Sequence, residues 1–154
     1  MKSEIDRITG QLEKAFEKQP WYGTSVMAIL KDVDASVVHR KIGPHSIIIL
    51  VKHMTIWRRY VIHKLQGNDN FQVSDEQNFP DPPITSQAWP EAIKELQASQ
   101  RELMIAITKF PQERLNELVP AASHKYTWYT LLHGIIQHDV YHLGQIALLR
   151  KALQ

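Results

Sequence analysis

The last helical stretch constrains this chain most. Residues from about Thr127 to Leu153 read as one long helix, and within it His138 and His142 stand four residues apart. On a helix, positions i and i+4 project from one face, with Cβ atoms roughly 5–6 Å apart. At that separation two imidazole nitrogens can converge on a single ion. A neutral imidazole suits zinc, nickel, copper or iron. Two ligands seldom hold a metal tightly, so the pair calls for a third ligand from elsewhere in the chain.

Composition limits where that ligand can come from. There is no cysteine, so only His, Asp or Glu can serve, and disulfides are excluded. The lack of cysteine also fits a cytoplasmic protein. At 154 residues, with 44% apolar and 22% charged side chains, residues 1–154 are expected to form one globular domain. The net charge is +2, from 18 basic and 16 acidic residues without a block of like charge. No nucleic-acid partner is expected on that basis. No apolar run is longer than Ile47 to Val51, which is too short to span a bilayer, and the first residues lack an apolar signal core.

The rest of the chain reads as helices. Ser3 is placed to cap a first helix whose stripe is Ile5, Ile8, Leu12, Ala15 and Phe16, ended by Pro20. Thr24 or Ser25 caps a shorter helix through Val26, Ile29, Leu30 and Val33. A strong helix is expected from about Ser46 to Leu65, with an apolar surface wide enough for a bundle interior. Residues 66–83 form a long, mildly acidic loop rich in Asn and Pro, of the kind that covers one end of a bundle. Thr85 or Ser86 caps the next helix, which Phe110-Pro111 breaks, and a short helical turn is expected over Gln112 to Leu118. No strand signal competes. The expected fold class is all-α, a four-helix bundle with short additional helices.

Of eight histidines, His53 is the candidate third ligand. It sits mid-helix on an apolar line between Ile49 and Trp57, where an unsatisfied imidazole is costly. A core histidine bonded to a neighbour explains such a residue when it stands alone. With His138 and His142 on a facing helix, a three-histidine site becomes the sharper reading, since bundle cores take ligands from facing helices. His133 lies about 160° from the midpoint of the pair and should not share the ion, whereas Gln145 lies about 40° away. Asp139 occupies the position after the first histidine where the metalloprotease pattern requires Glu, so that reading is rejected. Asp139 and Tyr141 are expected to flank the ion, as helix-surface or interface residues. Trp57 and Gln145 are the candidates to line a pocket beside it. Trp57 is alternatively a packing residue, and Gln145 alternatively a support for a ligand.

These segments resemble the DinB-like (YfiT-type) superfamily of small metal-binding helical bundles. Trp21-Tyr22-Gly23-Thr24-Ser25 resembles its early Trp-x-Gly-x-Ser segment. His45-Ser46-Ile47 with Val51-Lys52-His53-Met54-Thr55-Ile56-Trp57 resembles its second-helix motif, and His133 to Ile146 its C-terminal motif. The resemblance runs over nearly the whole chain. It implies a four-helix bundle, commonly a homodimer, with a divalent metal, zinc or nickel, held by His53, His138 and His142. Some relatives are transferases that use low-molecular-weight thiols such as bacillithiol, mycothiol or glutathione; others are isomerases or are described as hydrolases.

The chain is therefore expected to be a metal-dependent enzyme acting on a small molecule, of thiol transferase or hydrolase type. No side chain is assigned a catalytic role; metal-bound water or thiol is the expected reacting group. A non-catalytic metal- or ligand-binding stress-response bundle is the alternative, and a metal-free bundle with three core histidines is a third.

Overall fold

A computed structural model describes residues 2–154. The helices are α1 (Glu4–Phe16), α2 (Val26–Lys31), α3 (Ile47–Leu65), α4 (Asp75–Asn78), α5 (Ala88–Thr108) and α6 (Trp128–Leu153), with a 3₁₀ turn at Gln112–Arg114. No strand forms among the described residues; two isolated bridges, Ile42 with His45 and Leu118 with Thr127, are the only β pairing there.

Local chemistry explains most of the boundaries. Ser3 and Asp6 form a reciprocal capping box at the start of α1. Ser46 accepts from Ile49 N at the start of α3, and Thr127 from Thr130 N at the start of α6. Two boundaries differ from expectation. α1 stops at Phe16, well before Pro20, because residues 17–19 are exposed and have no core surface to cover. α5 starts at Ala88. Thr85 Oγ1 accepts from Ala88 N at 3.2 Å and turns the chain before the helix begins. Pro90 falls in the first turn, where a missing N–H breaks no intrahelical bond.

The four long helices form the bundle. α3 packs on α5 and α6, and α1 packs on the same two, so α1 and α3 occupy opposite corners. Apolar side chains make two clusters. One gathers Ile8, Leu12, Tyr60, Leu103 and Leu132; the other gathers Leu30, Leu50, Met54, Leu96 and Ile146. Between them on α3 and α6 lie buried polar groups: His53, Arg58, Asp139 and His142. Ser99 and Gln100 of α5 are buried between the Leu96 and Leu103 contributions to the two clusters. A polar layer across the middle of a bundle core is costly unless its members pair.

The connections are tied down as well. Lys64 is 1% exposed, and its ammonium donates to the carbonyls of Asp69, Pro120 and Ala121, joining two loops at one end of α3. Residues 66–83 do not simply cap that end. They run back along α3 so that α4 packs on the middle of the helix, because His53 and Trp57 supply hydrogen-bond donors to Asn78 there.

Candidate metal centre

α3 and α6 bring His53, His138 and His142 together. One nitrogen from each ring lies within 4.8 Å of those from the other two. Nε2 of His53 and Nε2 of His138 are 3.0 Å apart. The ring centroids are separated by 4.5–4.9 Å. His53 and His142 are buried and His138 half-buried.

Two outer contacts set the ring orientations. His53 Nδ1 donates to the Asn78 carbonyl at 2.5 Å, and His142 Nδ1 donates to Gln145 Oε1 at 2.6 Å. Both rings therefore carry their proton on Nδ1, which leaves the Nε2 lone pairs free for the cluster. This is the support that metal-ligating histidines usually have. Phe79 stacks on the His53 ring at 4.0 Å and 2°, and His45 stacks on the other side of Phe79 at 4.2 Å.

The environment keeps the rings neutral. Burial lowers His53 to about 4, against the opposing bond to Asn78. Burial, then the charges of His142 and His53, lower His138 to about 3. Burial lowers His142 too. At neutral pH the rings are uncharged, so no imidazolium competes with a cation. Two nitrogens on one ion at about 2.0–2.1 Å lie roughly 2.9–3.4 Å apart for angles from right-angled to tetrahedral. The separation between His53 and His138 falls in that range. The three-nitrogen donor set, with this pair at coordination spacing, is compatible with a divalent metal.

Asp139 is not a surface residue flanking the cluster. It is 1% exposed, and its Oδ2 accepts from Arg58 Nη2 at 2.6 Å. Following His138 on a helix, it points about 100° away from that ring, toward the bundle interior. Burial raises Asp139 to about 6, against the pull of Arg58. The guanidinium also lies 4.6 Å over the Phe16 ring. This pair bolts α3 to α6 beside the histidines. Tyr141 is exposed.

The other named residues are placed as follows. Trp57 lines a cavity between α3 and α6, and its Nε1 donates to Asn78 Oδ1 at 2.9 Å. Gln145 orients His142 and is not among the residues lining that cavity. His133 turns away from the cluster, packing against Tyr129 at a tilt of 46° with its Nε2 3.5 Å from Glu4. Asn78, Phe79 and His45 carried no periodic signal, since they lie outside the long helices. Arg58 did carry one: a guanidinium within the wide apolar surface of α3 requires a buried acid, and Asp139 was available.

The sequence profile of the DinB superfamily matches residues 23–146, well over half of the chain. The chain belongs to the DinB superfamily. No curated protein and no solved structure matches it. The matched segment contains all three histidines, so this DinB member carries the cluster within its family domain. No helix among the described residues is long and apolar enough to cross a membrane.

Proposed function

We propose that this DinB-superfamily chain is a metal-dependent enzyme acting on a small molecule, with thiol transfer its best-supported chemistry. The observation that carries this reading is the convergence of three neutral imidazoles, two of them fixed as Nδ1–H tautomers by Asn78 and Gln145. His53, His138 and His142 would hold a divalent cation, zinc or nickel. Three protein ligands leave room for a further ligand, as in catalytic rather than structural sites. When bound, such a cation supplies Lewis acidity and makes a coordinated thiol or water more acidic.

The chain's own residues do the rest. Asn78 and Gln145 hold the rings in place, and Phe79 shields the His53 face from water. No Asp or Glu joins the histidine cluster among the described residues, and Asp139 is committed to Arg58. The lack of a nearby carboxylate base supports thiol transfer over hydrolysis, because a thiol ionises more readily than water. The cavity against His138 supports catalysis over simple metal storage.

The test is the visible spectrum of cobalt-substituted protein, titrated with glutathione and other small thiols. The expected result is a change in the spectrum that depends on the thiol and is absent in His142→Ala. A spectrum indifferent to every thiol would end the transferase reading.

A further inference from the structure

The cavity beside the cluster has a definite chemical character. It is an open groove of about 250 Å³ between α3 and α6, bounded at one side by His138. Trp57, Val61, Leu131 and Ile135 supply apolar surface. No Asp, Glu, Lys or Arg lines it. Its polar groups include the hydroxyls of Tyr60 and Tyr126, which are 2.9 Å apart and bonded to each other. Burial raises Tyr60 above its ordinary value, so its hydroxyl stays protonated.

Gly134 bears on how the cavity stays open. It lies in the interior of α6, where glycine costs roughly 0.5–1 kcal/mol relative to alanine. Close packing does not demand it, since an added Cβ would meet nothing within 4 Å. Gly134 does line the cavity, one helical turn before His138. Any larger side chain there would enter the space.

We propose that this groove holds the non-reacting part of the substrate: an uncharged molecule built on a single ring, with one hydrogen-bonding group at the Tyr60 and Tyr126 hydroxyls. The proposal rests on reading the histidine cluster as the reacting centre. Size sets the first limit, because an apolar cavity of roughly 150 Å³ already takes benzene. Charge sets the second. An ionic group here would exchange part of its hydration for apolar walls without gaining a counter-ion, which is unfavourable. An anionic thiol such as glutathione finds no basic side chain in the groove. The groove therefore receives the apolar, electrophilic partner of the reaction and not the thiol.

Calorimetric titration of the zinc-loaded protein tests this with 4-methylphenol, 4-hydroxybenzenesulfonate and (4-hydroxyphenyl)trimethylammonium. The neutral phenol should bind at least about tenfold more tightly than either ion. Gly134→Leu, which fills the groove and raises helix propensity, should remove phenol binding while keeping the wild-type zinc content. Leu131→Trp should do the same from the groove wall. Ionic probes binding as well as the phenol, or phenol binding unchanged in both variants, would overturn the proposal. Zinc bound without phenol binding would sink the groove and spare the metal reading; phenol binding as expected without zinc would do the reverse.

Discussion

The buried pair of Arg58 and Asp139 makes a prediction that its geometry sharpens. Both side chains are at most 1% exposed, and they meet at 2.6 Å. Removing one partner from such a pair costs about 3–5 kcal/mol, because the other is left charged and desolvated. The two halves differ in how they can escape that cost. In Asp139→Asn the remaining guanidinium cannot lose its proton at any ordinary pH, so the altered pair adds no pH dependence of its own to that variant. In Arg58→Met the remaining carboxyl can neutralise. Burial already lifts it to about 6 with Arg58 holding it down, so without Arg58 it rises further.

The sign follows from linkage. A carboxyl whose folded pKa lies above its unfolded value stabilises the fold at low pH, and that stability is lost as pH rises through the folded pKa. Between pH 7 and pH 5, Arg58→Met should gain up to about 2.7 kcal/mol relative to Asp139→Asn, from about 1.36 kcal/mol per pH unit. Arg58 helps to lower His138, so both variants are made in a His138→Gln background, where the titration of His53 and His142 is common and cancels in their difference. Urea denaturation of the two metal-free variants at each pH measures it. An equal response of the two variants would show that Asp139 is not an ionised, buried partner of Arg58.

Other outcomes follow from the same geometry. Gln145→Leu should weaken zinc binding by about 10–100-fold, the usual effect of losing a ligand's outer partner, while zinc content at saturation stays at the wild-type level; competition with a chromogenic chelator reads this. The metal-free protein should lose stability as pH falls below about 6.5, because His53 and His138 are lowered to about 4 and 3 and the unfolded chain takes up protons first. The slope should reach about 1.4 kcal/mol per pH unit for each ring, and His53→Ala should flatten it. Lys64→Met should leave three carbonyls without their donor, cost about 1–3 kcal/mol, and speed amide exchange in the loops around Asp69 and Ala121.

Particular residues show how far the chain could be read in advance. Helical periodicity, with Ser3 as a cap, marked the long helices because those signals are local; Ser46 and Thr127, read only as helix starts, are caps as well. The α5 start was misjudged because Thr85 serves a turn and not a cap. The spacing of His138 and His142, with His53 on an apolar line, makes the cluster legible in the sequence. The clamp around it stayed hidden. Asn78 acts on His53 through its backbone carbonyl, which no side-chain pattern encodes, and Phe79 reaches the ring from a loop without a repeat. Asp139 was misplaced because a helical wheel gives direction but not depth. Its depth follows from Arg58, and the two residues are 81 positions apart in sequence.

The function of the site depends on whether the three rings bind one cation. Metal analysis with zinc X-ray absorption on the purified protein tests this directly, with His53→Ala, His138→Ala and His142→Ala measured alongside. The expected result is one zinc per chain with nitrogen ligands at about 2.0–2.1 Å in the unaltered protein, and loss of the ion in each variant. A protein that takes up no divalent metal, or that keeps its metal in all three variants, would contradict it.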